Sequence, residues 1–249
     1  MSLFAKHDLS CSIVEAIYGP QLCNAEVAKI YERDRAIKYL GRELTCGELG
    51  CALSHKSIYR LMVDENVSEA VVLEDDIAFG KEFVEFLQAR VYVPDNCDVV
   101  LLGHHSWRSR MIPANYSCWY KRKISASLVL RRPCELACGT YGYYIRKSGA
   151  EKLLEHMGKI YMPVDHYTGS DRLINLYILE SPIIYIHEAL SKFSNIEKVR
   201  NEWDADIAPK HLSLKGRIAK YLGVYDFLSS VANKKRYIAG RIKPLRRYQ

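Results

Sequence analysis

The pattern of hydrophobic and polar positions along the chain predicts strands that alternate with helices. Short apolar, β-branched runs are typical of buried strands, and apolar positions three or four apart are typical of helices. The predicted strands cover residues 10–17, 69–73, 98–103, 140–146 and 183–186. The predicted helices cover residues 24–40, 46–63, 80–90 and 148–157, and a loop-to-helix unit begins at residue 163. This alternation predicts an α/β sandwich with a largely parallel or mixed sheet.

Two of the predicted helices begin with a capping box. In this motif a Ser or Thr side chain and a Glu three residues later bond each other's backbone amides. Thr45 and Glu48 form one such pair, and Ser148 and Glu151 form the other. By contrast, residues 104–135 show no clean period, so we expect a long irregular region there.

The charge of the chain is concentrated at its C-terminal end. The 249 residues carry a formal net charge of +7, from 36 Lys and Arg residues and 29 Asp and Glu residues. Residues 210–249 hold 11 of the basic residues and one acidic residue, Asp226, so residues 1–209 have a net charge of −3. Apolar residues at helical spacing from Leu214 to Val231 predict a basic amphipathic helix. We therefore expect a folded domain over 1–209 and a basic amphipathic tail over 210–249.

The eight cysteines indicate reduced thiols, mostly in the core. Their spacing includes no tight Cys-x-x-Cys pair of the kind that zinc sites use, and a chain of this length needs no disulfides to fold. No signal peptide is expected, because the N-terminal residues lack a basic segment followed by an apolar stretch, and no apolar run approaches the roughly 18–20 residues that span a bilayer. These features predict a cytoplasmic protein.

An acidic triplet, Glu74-Asp75-Asp76, follows a predicted buried strand and is the strongest local signal for chemistry. Three adjacent carboxylates repel one another unless a cation lies among them. Glu74 and Asp76 share a face of an extended segment, whereas Asp75 points the other way. Hard oxygen ligands favour Mg²⁺ or Mn²⁺. The triplet therefore predicts a metal clamp for a nucleotide diphosphate, and the alternative is an acidic turn that caps the next helix.

The predicted helix over 46–63 carries a second candidate cluster. Residues at steps of three or four share one face of it, namely Glu48, Cys51, His55, Tyr59 and Met62. Ser54 lies beside His55 in a helix that is otherwise largely apolar. A single helical histidine is more often a core or surface residue than a catalytic one, so both interpretations of His55 stay open.

Five segments together resemble glycosyltransferase family 25, which includes bacterial lipooligosaccharide galactosyltransferases and animal collagen galactosyltransferases. In the family's order, the segments are residues 47–55, 72–76, 141–145, 149–154 and 163–165. The first two in tandem, GELGCALSH and VLEDD, are fairly specific, whereas the later three would be weak alone. The resemblance covers roughly residues 5–195.

The resemblance implies a GT-A-like, nucleotide-sugar-binding fold and inverting transfer of a hexose, commonly galactose from UDP-galactose, to a lipid-linked glycan acceptor. Glu74 and Asp76 would then hold Mn²⁺ or Mg²⁺ on the donor diphosphate. Inverting transfer needs a carboxylate that deprotonates the acceptor hydroxyl, and Asp165 is the candidate base. The alternatives are that Asp165 caps a helix and that Asp171 is the base.

The resemblance also implies a donor pocket around the metal. Its candidate residues are Glu48, Ser54, His55, Asp75 and Tyr143. His187, just after the predicted strand over 183–186, is a candidate late metal ligand or a structural residue.

One departure from the family concerns the N-terminus, where the chain begins inside the helix that should follow the family's first strand. We expect the domain over 1–209 to lack that strand. Either the true start lies upstream, or this is a truncated, inactive transferase that acts as a binding module, which is one alternative function. A metal-dependent phosphohydrolase that uses the acidic triplet is another.

The basic tail is expected to dock on an anionic membrane surface. The protein would then be peripheral on the cytosolic face of the inner membrane, where a lipid-linked acceptor is built. The alternative is a C-terminal helix that packs on the domain. Nucleic acid is not an expected partner, because the body is acidic and carries no recognisable nucleic-acid-binding motif.

Overall fold

The computed structural model describes residues 4–107, 109 and 112–187. Within those residues the helices, α1 to α6 in chain order, are Asn24–Ile30, Arg33–Leu40, Cys46–Asp64, Lys81–Ala89, Lys147–His156 and Val164–Thr168. The strands, β1 to β10, are Glu69–Leu73, Ile77–Phe79, Val99–Leu101, His105–Ser106, Arg122–Lys123, Val129–Arg131, Ala137–Cys138, Gly142–Arg146, Leu176–Leu179 and Ile184–Ile186. Short 3₁₀ turns occur at Ala5–His7, Gly19–Gln21 and Arg90–Tyr92.

A six-stranded mixed sheet forms the centre of the fold, in the order β1-β8-β3-β9-β6-β5. β3 and β9 run parallel, with Val99 opposite Leu176, and the other neighbouring pairs are antiparallel. The predicted α/β architecture with a mixed sheet is therefore confirmed, and a largely parallel sheet is excluded. Two further ribbons, β2 with β10 and β4 with β7, complete the described strand pairing.

Both faces of the central strands β3 and β8 are buried, because successive side chains of each strand enter different hydrophobic clusters. On β3, Val99 and Leu101 join a cluster with residues of α3 and α5, whereas Val100 joins a cluster with residues of α4. On β8, Tyr143 lies in the first cluster and Tyr144 in the second. The fold therefore has three layers, with α3 and α5 over one face of the sheet and α4 over the other.

The long helix α3 begins where the sequence predicts. Thr45 Oγ1 accepts a hydrogen bond from Glu48 N at 3.1 Å, and Glu48 Oε2 accepts one from Thr45 N at 2.9 Å, which confirms the capping box. Gly50 lets the N-terminal segment lie against the helix, because a Cβ there would come 2.6 Å from the backbone oxygen of Ile17. The start of α3 is thus fixed by its own cap and by that segment.

Two predictions about the N-terminal part of the chain are wrong. Residues 10–17 do not form a strand, and they are largely exposed and pair with no strand in the described chain. Residues 24–40 form two helices rather than one. The backbone leaves the helical path at Tyr31, where it pairs with Ile160 in an isolated β-bridge. A backbone that pairs with a distant segment cannot continue the helical hydrogen-bond pattern.

The prediction of a second capping box, formed by Ser148 and Glu151, is also wrong. Arg146 occupies the position before α5, and its side chain makes no capping hydrogen bond. The Ser148 hydroxyl instead donates to Oδ1 of Asp98 at 2.8 Å. Asp98 is buried and also accepts a hydrogen bond from Lys152 Nζ at 2.6 Å. A buried carboxylate needs such hydrogen-bond partners. The Ser148 hydroxyl therefore bonds Asp98 and does not cap the helix.

The region predicted to be irregular, residues 104–135, contains β4, β5 and β6. β6 joins the central sheet beside β9, which the hydrophobic pattern does not predict either. With three residues in β6 and four in β9, neither strand is long enough to show a clear period.

The other predicted helices and strands agree with the structure to within two residues at each end. The predicted amphipathic helix and basic clusters of the tail lie in residues 188–249, outside the described residues. In the part of the chain that is described, the helices are too short or too polar to cross a membrane.

Candidate active site

The carboxyl end of β1 brings the acidic triplet beside α3. Glu74 follows the last residue of β1, and its amide donates to the carbonyl of Tyr141 at 3.0 Å. β1 pairs antiparallel with β8, so Val72 lies opposite Tyr143. Both side chains enter the cluster shared with α3, which places Tyr143 against the helix face that carries His55. The site thus forms between α3, the end of β1 and β8.

A chain of polar groups runs from Tyr59 through His55 to Glu74. The Tyr143 hydroxyl donates to the Tyr59 hydroxyl at 3.0 Å and lies 2.8 Å from Nδ1 of His55. Nε2 of His55 lies 3.5 Å from Oε1 of Glu74. His55 is 4% exposed and the Glu74 side chain 34%, so the chain leads from the core to the surface. Burial raises the pKa of both tyrosines, which keeps their hydroxyls protonated.

Cys51 adds a thiol to this group. It lies one turn before His55 on α3, and its Sγ, a ring nitrogen of His55 and a carboxylate oxygen of Glu74 all lie within 4.8 Å of one another. Burial raises the pKa of the Cys51 thiol well above its ordinary value, and the charges of Glu74 and Asp165 act in the same direction. The helical spacing of Cys51 and His55 is visible in the sequence, but only the fold adds Glu74.

Asp165 lies in the first turn of α6 and ties that helix to the loop before β8. Its Oδ1 accepts hydrogen bonds from Gly139 N at 3.2 Å, Thr140 N at 3.0 Å and Thr140 Oγ1 at 2.5 Å. Burial raises the pKa of Asp165, but the bonds from Thr140 and the nearby His105 and His166 outweigh burial, so the pKa lies below its usual value. Hydrogen bonds from the described residues all fall on Oδ1, which leaves Oδ2 for another group.

The structure also shows where the two alternatives stand, namely Asp165 as a helix cap and Asp171 as the base. Pro163 is the N-cap of α6, so Asp165 is not a helix cap. Asp171, the rival base, is half-buried in the turn after α6. His105 on β4 lowers the pKa of Asp165, and its ring stacks on Tyr141 with centroids 6.2 Å apart. No sequence signal indicates His105, because its short strand lies in the stretch without a hydrophobic period.

Two of the predicted donor-binding residues have structural partners. Arg42 donates to both carboxylate oxygens of Glu48, at 2.7 and 2.8 Å. The Ser54 hydroxyl donates to Gly50 O at 2.8 Å and accepts from Ile17 N at 2.8 Å. These contacts fix the start of α3 and the N-terminal segment. Direct contact of either residue with a donor stays a prediction.

The other two residues of the acidic triplet differ in exposure. Asp75 is exposed, and Asp76 is half-buried with its Oδ1 inside the protein. The backbone carbonyl of Asp76 accepts a hydrogen bond from His187 N at 2.7 Å, because β2 and β10 pair with Ile77 opposite Ile186. The His187 side chain is exposed. The fold thus brings His187 beside the triplet through its backbone, and its role as a ligand stays a prediction.

The sequence matches the family model described as "Glycosyltransferase family 25 (LPS biosynthesis protein)" over residues 1–168. The chain belongs to glycosyltransferase family 25. The predicted resemblance is therefore confirmed. The matched range includes the residues that converge at this site, from α3 through the acidic triplet to Asp165.

Animal members of the family are among the similar proteins. Procollagen galactosyltransferase 1-A of Xenopus laevis is 26% identical over 202 residues, which is 74% of this chain. Procollagen galactosyltransferase 2 of Homo sapiens is 28% identical over 189 residues, 65% of this chain. A Bos taurus protein named "Probable inactive glycosyltransferase 25 family member 3" is 31% identical over 152 residues, half of this chain. This family 25 chain spans about a quarter of the length of these relatives, 28%, 26% and 25% respectively.

Proposed function

We propose that this family 25 member transfers a hexose, in the first instance galactose, from a UDP-sugar to a glycan acceptor such as a lipid-linked lipooligosaccharide, with inversion at the anomeric carbon. The observation that carries the proposal is that Glu74 and Asp165, from two separate motifs, both lie near enough to Cys51 of α3 for their charges to raise the pKa of its thiol. Family membership supports the reaction class, and the names of two relatives support the sugar. In this proposal the sheet and its helices act as a GT-A-like nucleotide-sugar-binding sandwich.

The donor side of the proposed site is the end of β1. Glu74 and Asp76 offer hard oxygen ligands, which is the donor set that Mn²⁺ or Mg²⁺ prefers, so these residues fit the cation that the family implies. That cation, when bound, would offset the charge of the departing diphosphate. Asp75 is exposed beside the two ligands, where it can contact the nucleotide-sugar.

The residues behind the donor side act by positioning. Tyr143 holds His55 through Nδ1, and His55 faces Glu74 with Nε2. Glu48 caps the start of α3, and Ser54 holds the N-terminal segment against it, so the helix that carries His55 is fixed in place. A metal-binding side chain that its neighbours already hold in position loses less rotational freedom when the nucleotide-sugar binds.

The acceptor side of the proposed site is Asp165. Its low pKa keeps the side chain ionised at neutral pH, which a general base requires. Oδ2 would take the proton of the acceptor hydroxyl as that oxygen bonds to the anomeric carbon. The bond between this carbon and the diphosphate oxygen breaks in the same step, and UDP leaves. A single displacement of this kind inverts the configuration of the sugar.

We extend the proposal to the basic tail, residues 210–249. Its excess of Lys and Arg and its apolar stripe suit an anionic membrane surface, where a lipid-linked acceptor would lie. The tail would then increase the local concentration of acceptor at the site.

Thermal unfolding with a panel of nucleotide sugars tests the donor part of the proposal. UDP-galactose together with Mn²⁺ is expected to raise the unfolding midpoint above that found with either alone, because a ligand that binds the folded state stabilises it. GDP-mannose is the control, since it keeps the diphosphate but changes both the base and the sugar. The absence of any shift with UDP-sugars and Mn²⁺ would contradict the proposal.

A further inference from the structure

Three side chains between α3 and the end of β1 form a mixed donor set. Sγ of Cys51, a ring nitrogen of His55 and a carboxylate oxygen of Glu74 lie within 4.8 Å of one another. Thiolate sulfur and imidazole nitrogen are ligands that suit Zn²⁺ and Co²⁺, whereas Mg²⁺ and Mn²⁺ are suited by oxygen. The set therefore favours a different class of cation from the one that Glu74 and Asp76 would hold.

The spacing of these groups suits a tetrahedral ion. Cys51 and His55 lie four residues apart on one face of α3, the spacing at which two helical side chains can bind one zinc ion. Nε2 of His55 and Oε1 of Glu74 are 3.5 Å apart. Two ligands about 2.0–2.2 Å from a tetrahedral ion would lie roughly 3.4 Å from each other. The imidazole and the carboxylate therefore need to move little.

The hydrogen bond of 2.8 Å between Nδ1 of His55 and the Tyr143 hydroxyl leaves Nε2 as the ring nitrogen that faces Glu74. With a proton on Nδ1, Nε2 presents a lone pair to the Glu74 carboxylate 3.5 Å away. These two groups repel each other unless a cation or a proton lies between them. Histidines that bind metals are held through their second nitrogen in the same way.

We propose that Cys51, His55 and Glu74 bind one Zn²⁺ ion, with a fourth position open to water. On binding, the Cys51 thiol releases its proton to solvent and the sulfur coordinates as a thiolate. Asp76 and Asp165 act electrostatically on Cys51, and their negative charge favours a divalent cation at this place. Because Glu74 would also serve the proposed Mn²⁺ site, occupation by Zn²⁺ excludes Mn²⁺ and inhibits transfer.

Cobalt titration of the reduced, metal-free full chain tests the site without donor or acceptor. One equivalent of Co²⁺ is expected to give the near-ultraviolet charge-transfer absorption of a cobalt–thiolate bond and the strong visible bands of tetrahedral coordination. Zn²⁺ should abolish both signals by displacement. Cys51→Ser is expected to lose the charge-transfer absorption, whereas Cys46→Ser should keep it, because Cys46 is an exposed thiol on the same helix.

A further variant reports on the residue behind His55. Tyr143→Phe is expected to weaken Zn²⁺ binding by about 10-fold, since removal of such a partner typically costs 10–100-fold in affinity. Wild-type protein without the cobalt–thiolate absorption, or Cys51→Ser protein that keeps it, would overturn the proposal. Circular dichroism of each variant, matched to wild type, ensures that loss of the signal is loss of the site.

The zinc site and the proposed transferase can fail separately. The cobalt measurement uses no nucleotide-sugar, so it stands even if no donor binds. The inhibition has its own readout, which is the release of Mn²⁺ on addition of Zn²⁺, followed by the electron paramagnetic resonance signal of free Mn²⁺. If Mn²⁺ never binds, the transferase proposal loses its cation while the zinc site is unaffected. If Zn²⁺ binds and Mn²⁺ stays bound, Glu74 is not shared.

Discussion

The hydroxyl of Tyr143 lies 2.8 Å from Nδ1 of His55, although 88 residues separate them along the chain. Both residues are buried, and the same hydroxyl donates to Tyr59 at 3.0 Å. The contact joins the strand that pairs with β1 to the helix that packs over it. It therefore couples the position of His55, and through it Glu74, to the core of the protein.

Replacement of this tyrosine is expected to cost stability. Tyr143→Phe keeps the ring in the core but leaves Nδ1 of His55 and the Tyr59 hydroxyl without their buried partner. A buried polar group left unsatisfied costs about 1–3 kcal/mol, so a comparable loss is expected in the free energy of unfolding, measured with urea. Tyr59→Phe is the comparison, because it removes only one of the two bonds. Equal stability of wild type and Tyr143→Phe would show that the network contributes nothing.

His104 makes the stability of the domain depend on pH. It is buried, Nε2 lies 2.7 Å from Leu179 O, and Nδ1 accepts from Ala114 N at 3.2 Å, so the ring is neutral. Burial lowers the pKa of His104 to about 4. The unfolded chain binds a proton at this residue below a pKa of about 6.5, whereas the folded chain does not until about pH 4, so stability falls as pH falls through this window, by at most roughly 3 kcal/mol.

His104→Gln is expected to flatten this pH dependence, because the variant has no group to protonate there. Urea unfolding at several pH values between 6.5 and 4 provides the measurement. The exposed His156→Gln serves as control and should keep the wild-type slope. A variant at position 104 that loses stability with acid as steeply as wild type would contradict the assignment.

Asp165→Asn separates the role of base from that of loop anchor. The amide oxygen can still accept the bonds from Gly139 and Thr140, so we expect the fold to persist. The amide cannot take a proton, so turnover should fall by about 10²–10⁴-fold, the usual contribution of a general base. The dissociation constant for UDP-galactose should change far less. If Asp171→Asn loses turnover and Asp165→Asn does not, the base is Asp171.

Removal of residues 212–249 tests the membrane part of the proposal. The shortened chain is expected to lose binding to liposomes that contain anionic lipid, because most of the excess positive charge lies in this segment. Neutral liposomes and high salt are the controls, since both should already weaken binding of the full chain. Undiminished binding of the shortened chain to anionic liposomes would contradict a docking role for the tail.

The fold is predictable from sequence where local signals are strong. α3 has a capping box and a long apolar face, and β1 is a short, mainly apolar run with two valines, so both appear at their predicted positions. β6 and β9 are too short for a period to be visible, and β6 contains Arg131. Residues 10–17 alternate like a strand but find no partner strand among the described residues, and a strand is stable only when paired.

In the candidate site, too, local sequence patterns predict some features, whereas others depend on contacts between distant segments. The acidic triplet is visible because adjacent carboxylates at a strand end are unusual, and Cys51 and His55 share a helical spacing. The contact between His55 and Tyr143 depends on the antiparallel register of β1 and β8, which no local pattern specifies. The bonds that occupy Asp165 Oδ1 likewise come from a loop 25 residues away in sequence.

Product analysis with wild type and Asp76→Asn tests the central claim most directly. The reaction contains UDP-galactose, Mn²⁺ and an acceptor that ends in glucose or lactose, and the products are identified by mass spectrometry and by the configuration of the new linkage. Asp64→Asn, an exposed change at the end of α3, is the control. The account predicts a β-linked galactoside from wild type and the control, and loss of Mn²⁺-dependent transfer in Asp76→Asn with its fold intact. Undiminished transfer by Asp76→Asn, or wild-type protein that releases only free galactose, would contradict it.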